Sequence, residues 1–287
     1  FQVQSIGSTK GSERCLDTAK RFNLNQAYCK GGWEEVIDNE VDAFCICIDT
    51  SATPEILLKT LDKNKPILVE KPIGWKLNQL ESISRHPNVN NLFVAYNRRF
   101  YQSVQEAKRI IQEDGGGCTA QFDFTEWSHV IEGIDMPNEL KKNWFLANST
   151  HVVDLAFYLV GKPIEISAYQ NGSLSWHKPS KFSGSGITDK NILFHYGANW
   201  ESAGRWSLEI TTAKRKLIFC PLEELKTQMK GTIEILPANN IDYSKDQAFK
   251  AGIYHQTKSF INREENTLKS IEEQVHDFKF YNKILGK

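Results

Sequence analysis

The sequence lacks an excess of either charge, and it lacks any long apolar run. Its 287 residues include 35 Lys and Arg against 35 Asp and Glu, so the formal net charge is zero. A chain without blocks of one sign does not attract nucleic acid or an anionic membrane surface. No apolar run reaches the roughly 20 residues of a membrane-spanning helix, and no signal peptide is visible at Phe1. Neither nucleic acid nor a membrane is therefore an expected partner.

The cysteines form no pattern typical of a metal site. No CxxC pair or Cys/His cluster has the spacing of zinc ligands. Cys45 and Cys47 fall inside an apolar run, where a free thiol behaves as a small hydrophobic side chain. The sequence therefore predicts no bound metal, and it indicates reduced thiols in a cytoplasmic protein.

A strand–helix–strand pattern precedes the segment Glu70-Lys71-Pro72. Residues 41–48 (VDAFCICI) and 66–69 (PILV) are typical of short buried strands, and residues 53–63 between them are typical of a helix. This order within about thirty residues predicts a βαβ crossover. Ligands of such sheets bind at the carboxyl ends of the strands, so the segment is expected at the ligand-binding edge.

Glu70-Lys71-Pro72 in this position resembles the glucose–fructose oxidoreductase, inositol dehydrogenase and MocA family of NAD(P)-dependent oxidoreductases. Two further motifs support the resemblance: Asn97-Arg98-Arg99-Phe100 after a predicted strand, and His151-x-x-Asp154 at the start of an apolar helix. A surface Glu-Lys pair after a core strand is the alternative for the first motif. The resemblance covers nearly the whole chain, and it implies a homodimer or homotetramer assembled through a sheet.

The length and the change of hydrophobic period predict two domains. Residues 1–97 are expected to form an α/β, Rossmann-type NAD(P)-binding domain, and residues 98–287 an α+β domain for substrate binding and oligomerisation. Alternating runs in the second domain predict a large, mostly antiparallel open sheet. These runs are 119–124, 164–169, 191–195, 206–211, 216–219 and 231–236, and closing helices are predicted at 253–260 and 270–285.

The sequence also lacks the GxGxxG turn that binds the pyrophosphate in this fold. An alternating strand at residues 1–6, followed by a turn and a helix at 13–22, resembles the second βα unit of the family's cofactor domain. The first βα unit is therefore missing, and the chain is expected to begin inside that domain. The sequence favours an incomplete chain, with a truncated gene product as the alternative.

The ends of the predicted strands indicate where the cofactor binds. Ser8, Thr9 and Lys10 follow the first strand, where a carboxylate would bind the ribose 2′-hydroxyl of NAD. Two hydroxyls and a lysine suit a 2′-phosphate, so NADP is favoured over NAD; a polar turn without contacts is the alternative. The resemblance implies the other cofactor contacts, which are Asp49, Thr50, Glu70, Lys71, Pro72, Asn97 and Arg98.

The resemblance also implies that Lys71 and His151 are catalytic. In oxidation the histidine takes the hydroxyl proton, and the lysine stabilises the negative charge that develops on the oxygen. Ser149 or Thr150 is predicted to cap the helix, so the dipole of its first turn should keep His151 neutral. The family's aspartate does not match, because Asn148 stands three residues before His151 and cannot act as a base. A histidine that only caps and packs is the alternative.

The segment before this helix resembles the family's substrate-facing loop. Lys142 and Trp144 are candidate substrate contacts there, beside Lys71, Asn148 and His151; solvated lysines are the alternative. The sequence thus predicts an oxidoreductase acting on a hydroxyl or keto carbon of a sugar, cyclitol or nucleotide sugar. Because of Asn148 and the missing glycine turn, a catalytically impaired binding or regulatory protein stays open. An enzyme that reduces an unsaturated or imine substrate is a third possibility.

Overall fold

The computed structural model describes residues 2–8, 13–264 and 267–287. The chain divides into two compact units. The N-terminal unit comprises residues 1–95 and 270–272, and the C-terminal unit comprises residues 96–269 and 273–287. Each unit is built on a sheet of a different kind, and each is described in turn.

The N-terminal unit contains a sheet of three parallel strands with a fourth, two-residue strand, Lys269–Ser270, at its edge. The parallel strands are β1 (Phe44–Ile46), β2 (Ile67–Glu70) and β3 (Leu92–Ala95), side by side in that order. The helices are α1 (Arg14–Arg21), α2 (Trp33–Ile37), α3 (Thr53–Leu61) and α4 (Leu77–Ser84). Because α3 connects the parallel strands β1 and β2, the predicted βαβ crossover is confirmed.

Strand β1 is shorter and less buried than its apolar sequence predicts. Phe44 and Ile46 are buried, whereas Cys45 between them is exposed and Cys47 is exposed beyond the end of the strand. Side chains of a strand alternate between its two faces, so only one face of β1 lies in the core. The prediction that both cysteines serve as buried hydrophobic side chains is therefore wrong.

The strand predicted at residues 1–6 is not formed by the described residues 2–8. Instead, Ile6 and Cys29 make an isolated parallel bridge. Its hydrogen bonds run from Ile6 N to Tyr28 O, at 2.7 Å, and from Lys30 N to Ile6 O, at 2.9 Å. An alternating sequence becomes a strand only where a neighbouring strand pairs with it over several residues, and here the pairing ends after one residue.

The C-terminal unit is built on an eight-stranded sheet, which confirms the predicted, mostly antiparallel architecture. Its strands are β4 (Gly117–Asp123), β5 (Pro163–Asn171), β6 (Lys181–Thr188), β7 (Leu193–Asn199), β8 (Ser207–Thr212), β9 (Arg215–Phe219), β10 (Lys226–Met229) and β11 (Leu236–Pro237). They lie in the order β11-β10-β9-β8-β4-β7-β6-β5. Among the described strands of this sheet, β4 and β7 are the parallel pair.

Seven helices complete the described part of this unit, and they include both predicted closing helices. They are α5 (Gln102–Glu113), α6 (Ser128–Gly133), α7 (Asn138–Lys142), α8 (Thr150–Val160), α9 (Ser244–Ala248), α10 (Ile253–Ile261) and α11 (Ile271–Ile284), whose first two residues belong to the N-terminal unit. A 3₁₀ turn at Asn97–Phe100 precedes α5, and a π-helical turn at Phe145–Ser149 precedes α8.

Two strands of this sheet differ from the prediction. Residues 231–235 form no strand, because the chain pairs with β9 earlier, through β10. Strand β6 is absent from the prediction because its sequence, KFSGSGIT, consists largely of small residues. Those small residues have a packing reason: a Cβ on Gly186 would lie 2.7 Å from Phe194 Cζ, and one on Gly184 would lie 2.4 Å from the ring of Tyr196.

Aromatic side chains fill the core between the sheet and α8. Phe122 on β4 stacks on Tyr196 of β7 with ring centroids 5.5 Å apart. Phe157 of α8 meets Phe194 edge to face at 5.0 Å. Such pairs add roughly 0.5–1.5 kcal/mol each beyond the burial of their surface. They hold α8, and with it His151, against one face of the sheet.

The other face of the same strands is open to solvent. Leu193 and His195 alternate with the buried Phe194 and Tyr196 on β7, so they point to this opposite face. There they line a shallow groove of about 630 Å³ together with Thr119, Ser167 and Ser185. His195 therefore lies on the opposite face of the sheet from α8 and His151. None of the candidate catalytic side chains lines the groove.

The described part of the chain contains no helix long and apolar enough to cross a membrane. The cysteines at all six positions are free thiols. Within the described ranges, no group of three or more His, Cys, Asp or Glu side chains is arranged to hold a metal ion.

Candidate functional site

The carboxyl ends of the parallel strands bring several predicted residues to one edge of the N-terminal sheet. Ile46 pairs with Val69 and Glu70 pairs with Ala95, so β1, β2 and β3 end at the same edge. Glu70 and Lys71 are both half-buried there. The backbone N–H of Lys71 donates to Glu70 Oε2 at 3.0 Å, and the Lys71–Pro72 peptide bond is cis.

The turn that follows β1 in the chain carries two more predicted cofactor contacts, Asp49 and Thr50. Asp49 is exposed, and its Oδ1 accepts a hydrogen bond from the backbone N–H of Ser51 at 2.8 Å. Thr50 is buried. Ser8 is half-buried near the amino terminus, whereas Thr9 and Lys10 lie outside the described residues. The preference for NADP, which depends on Thr9 and Lys10, therefore stays a prediction.

The turn Asn97–Phe100 gives its three polar residues different surroundings. Asn97 is buried, and its Nδ2 donates to the carbonyl of Ala251 at 2.9 Å. Arg98 is half-buried, with its guanidinium carbon 4.8 Å from the centre of the Trp206 ring. Arg99 is buried and binds Asp154 through two hydrogen bonds, of 2.9 and 2.7 Å. Arg99 is thus part of the core, while Arg98 lies beside an aromatic side chain.

Helix α8, which carries His151, begins at Thr150 as predicted, but it has no side-chain cap. A π-helical turn runs directly into α8, so Ser149 and Thr150 both have helical backbone angles. Thr150 Oγ1 donates back to the carbonyl of Leu146 at 2.9 Å, and Ser149 does not cap the helix either. The prediction of a free helix start at His151 is therefore wrong, and the dipole argument for a neutral imidazole loses its basis. π-Helical turns are frequent at functional sites.

Two aromatic side chains surround the His151 ring. Tyr96 meets it edge to face, with ring centroids 5.7 Å apart, and Trp206 lies at 6.4 Å. His151 is 7% exposed, so it is held by packing within the unit. Both aromatic residues lie at strand ends, just after β3 and just before β8, where the sequence alone assigned them no role.

Asn148 lies beside a carboxylate that the sequence did not reveal as part of the site. Its Nδ2 donates to both oxygens of Glu126, at 3.0 and 3.2 Å. Glu126 is 1% exposed and also accepts from Ser149 Oγ at 2.7 Å and from Arg205 at 2.9 Å. Burial raises the pKa of Glu126, and the hydrogen bonds of Ser149, Arg205 and Asn148 oppose this rise.

The position of Glu126 explains why sequence reasoning missed it. It follows the end of β4, 22 residues before Asn148, and no local motif links the two. A carboxylate that is buried after a strand, three residues past Asp123, gives a weak signal by itself. The contact with Asn148 becomes visible only when the sheet and the π-helical turn are packed together.

The predicted substrate loop is a short helix, α7. Lys142 is exposed at its end, and Lys141 Nζ donates to the carbonyl of Glu132 at 2.9 Å. Trp144 is half-buried and meets Trp176 edge to face at 6.5 Å. The substrate contacts of Lys142 and Trp144 stay predictions.

A buried group of alternating charges anchors the other end of the His151-x-x-Asp154 motif. Asp154 is 1% exposed and binds both Arg99 and Lys269, the latter at 2.6 Å. Lys269 is equally buried and also binds Asp277 at 2.6 Å. Burial alone would lower the pKa of Lys269 and raise that of Asp277. The neighbouring opposite charges reverse both effects, so the pKa of Lys269 is raised and that of Asp277 is lowered to about 2.

Comparison with known proteins identifies a related family and a related enzyme. Residues 3–97 match the sequence model of an oxidoreductase family with an NAD-binding Rossmann fold, Gfo/Idh/MocA. Levoglucosan dehydrogenase of Pseudarthrobacter phenanthrenivorans is 24% identical over 177 residues. That match covers 58% of this chain and 45% of the enzyme, so the matched region spans less than half the length of this relative.

Solved structures share the fold of this chain. A levoglucosan dehydrogenase in complex with NADH and levoglucosan has a TM-score of 0.71 and 17% identity, over 96% of this chain and 85% of that chain. A super-repressor mutant of Gal80p from Saccharomyces cerevisiae has a TM-score of 0.78 and 15% identity, over 100% of this chain and 88% of that chain. At these identities the likeness shows the fold, a Rossmann domain followed by a domain with a large antiparallel sheet.

Replacing the buried lysine tests the charge group. Lys269→Met would leave Asp154 and Asp277 without a shared cation, and removing one partner of a buried pair costs about 3–5 kcal/mol. We expect a loss of that size in the free energy of unfolding, measured by urea denaturation. Lys181→Met, which removes a surface pair with Glu201, is the matched control and should change little. A similar small loss for both variants would contradict the role of Lys269.

The same group predicts a loss of stability in acid. The pKa of Asp277 is about 2 in the folded protein and ~3.9 in an unfolded chain, so its carboxylate stabilises the fold above pH ~4. That contribution, on the order of 2 kcal/mol, should disappear as the pH falls from ~4 to ~2. Urea denaturation at a series of pH values measures it. Asp277→Asn should flatten the acid limb of the profile, and an unchanged limb would refute the assignment.

Proposed function

We propose that this chain is an NAD(P)-dependent oxidoreductase of sugars, because its residues 3–97 match the model of the Gfo/Idh/MocA oxidoreductase family. Its substrate carbon is a hydroxyl or keto carbon of a sugar, cyclitol or nucleotide sugar. The observation that carries the proposal is the carboxyl edge of the parallel sheet, with Asp49, Glu70 and Lys71 along it. A solved structure of the same fold, a levoglucosan dehydrogenase in complex with NADH and levoglucosan, supports this class of reaction.

The residues present fit a nicotinamide cofactor at this edge. Parallel strands of such folds bind dinucleotides at their carboxyl ends, and here Lys71 is half-buried while Asp49 is exposed. Asp49 and Thr50 would hold the ribose of the cofactor, and Lys71 would lie at its nicotinamide end. When bound there, the cofactor would supply the hydride transfer. Residues 1–97 thus form the cofactor domain, and residues 98–287 bind the substrate and assemble a homodimer or homotetramer.

The chain's own contribution to the reaction is the handling of a proton and of an oxygen. In the oxidation direction, His151 removes the hydroxyl proton while the C–H bond of the same carbon breaks. Lys71 donates a hydrogen bond to that oxygen and stabilises its developing negative charge. In reduction, both residues act in the reverse sense. The packing of His151 by Tyr96 and Trp206 supports this role, because a base must be held in one orientation.

Glu126 determines what Asn148 offers to a substrate. Because Nδ2 of Asn148 is held by both Glu126 oxygens, its Oδ1 is turned away from them. No described residue donates a hydrogen bond to this Oδ1, so it can accept one from a substrate hydroxyl. An aspartate at this position would offer the same acceptor. Asn148 can therefore accept the same hydrogen bond as the family's aspartate, but it carries no negative charge. The negative charge next to it is that of Glu126.

A second candidate function is binding or regulation without turnover. The observation that favours it is Asn148 itself, because an amide neither takes a proton nor stabilises an imidazolium by charge. The Gal80p mutant of similar fold is named a super-repressor, which shows that this architecture also occurs in a regulatory protein. Cofactor binding without oxidation of any sugar would favour this second function.

Titration with NADPH and NADH, followed by nicotinamide fluorescence, is the test of the proposed enzyme. We expect micromolar binding of at least one cofactor, weakened about tenfold in Lys71→Ala by the loss of a charged hydrogen bond. Lys65→Ala removes an exposed lysine at the opposite end of β2 and should leave binding unchanged. Lys10→Glu should reduce the affinity for NADPH more than that for NADH. A folded protein that binds neither cofactor would rule out the oxidoreductase.

A charge exchange tests the Asn148–Glu126 pair. Asn148→Asp places two carboxylates about 3 Å apart, which should cost roughly 1–3 kcal/mol of unfolding free energy. Adding Glu126→Gln should recover most of that loss, because one amide and one carboxylate again face each other. Urea denaturation of the single and double variants measures the coupling. No recovery in the double variant would show that the contact is not made.

A further inference from the structure

Arg98 has the surroundings of a ligand-binding cation. Its guanidinium lies over the Trp206 ring, at 4.8 Å from the centre, and its Nε is buried without a hydrogen-bond partner. Among the described residues, no carboxylate lies within 4.0 Å of the guanidinium and no acceptor takes a hydrogen bond from it. Neighbouring arginines differ in this respect, since Arg99 binds Asp154 and Arg205 binds Glu126.

Two arginines with different partners lie over Trp206. Arg205 lies over the same ring, at 4.3 Å, so two guanidinium groups share one indole. The buried carboxylate of Glu126 is already bound to Arg205, at 2.9 Å. Glu223 faces this region from another element, accepts a hydrogen bond from Tyr101 at 3.3 Å and is the carboxylate whose charge acts most on Arg98. Arg98 still makes no ion pair within 4.0 Å among the described residues, whereas Arg205 does.

The free energy of holding a half-buried guanidinium without hydrogen-bond acceptors indicates that an anion binds there. Burial lowers the pKa of Arg98, and the neighbouring groups Tyr101 and Glu223 only partly oppose this effect. Arg98 nevertheless remains a cation, because guanidinium groups stay protonated in proteins. Stacking on an indole stabilises a cation, yet it leaves the N–H donors without acceptors. The planar fork of these donors matches a carboxylate or a phosphate group.

We propose that Arg98, stacked on Trp206, binds an anionic group of the substrate, so that the enzyme acts on sugars that carry a carboxylate or a phosphate. This inference rests on the proposed function and narrows its substrate class. Trp206 also lies 6.4 Å from the His151 ring, so the anion site and the candidate base share one wall. Asn148 fits the same picture, because an aspartate there would add a negative charge that repels such a substrate.

Direct binding to the full chain tests the anion site without turnover. The probes are D-glucuronate, D-glucose 6-phosphate and neutral D-glucose, followed by isothermal titration and by tryptophan fluorescence. We expect at least one anionic sugar to bind at least tenfold more tightly than glucose. This preference should weaken as sodium chloride is added, because salt screens the charge attraction. The carboxylate and phosphate probes separate the two kinds of anionic sugar.

Variants connect the preference to Arg98. Arg98→Met should weaken binding of the anionic sugar about ten- to hundredfold, the effect of losing a hydrogen bond to a charged group. Arg98→Lys keeps the positive charge but lacks the planar pair of N–H donors, so it should give an intermediate loss of affinity. This second variant keeps the test decisive if Arg98→Met does not fold. Arg109→Met is the matched control, because Arg109 is exposed and paired with Glu106 and Glu113 on α5.

Several results would overturn the anion site. It would be refuted if glucose bound as tightly as the anionic sugars, or if the folded chain bound none of the probes. Unchanged binding of the anionic sugar in Arg98→Met would also refute it. A loss of NADPH affinity in Arg98→Met with sugar binding intact would assign Arg98 to the cofactor and would also overturn the proposal. Because these assays need no turnover, they fail independently of the cofactor titration that tests the oxidoreductase itself.

Discussion

The carboxylate of Asp154 lies in the core of the C-terminal unit between two cations, Arg99 and Lys269, at 2.7 and 2.6 Å. Charges without water are tolerated only as a complete set, because each partner removed leaves an uncompensated buried ion. The set joins distant parts of the chain: the turn after β3, helix α8, the segment before α11 and, through Asp277, α11 itself. The stability of this unit therefore depends on all four charges being present together.

This constraint also positions the candidate chemistry. Asp154 and His151 are three residues apart, on neighbouring turns of one face of α8. The ion pairs of Asp154 therefore limit the positions that the His151 side chain can take. One turn earlier, Asn148 is held by Glu126 in the π-helical segment. A helix bound at both places cannot rotate without breaking one of the contacts. The fold thus holds the imidazole by two polar contacts of its neighbours and by the packing of aromatic rings.

Charge differs on the two sides of this helix segment. The charges around Asp154 pair with one another, whereas of the two guanidinium groups over Trp206 only Arg205 is paired, with Glu126. Paired charges serve stability, and a half-buried cation without an ion pair is typical of a site that binds a ligand. Asn148 stands where the family that the sequence resembles has an acid, so it adds no negative charge here. We propose that this one difference affects both the proton chemistry and the substrate preference of the enzyme.

Local signals in the sequence determined the parts of the structure that depend on neighbours along the chain. The apolar run before Glu70-Lys71-Pro72 predicted the crossover, and the alternating runs predicted most of the antiparallel sheet, because hydrophobic period reports burial directly. Strand β6 escaped this reasoning, since its glycines are required by the facing rings of Phe194 and Tyr196 rather than by its own pattern. The cap of the His151 helix was wrongly predicted for a similar reason: the hydroxyl of Ser149 binds Glu126 and does not cap the helix. Contacts between residues far apart in sequence, such as Glu126 with Asn148 and Arg98 with Trp206, were decided only by the tertiary structure, because no local period records them.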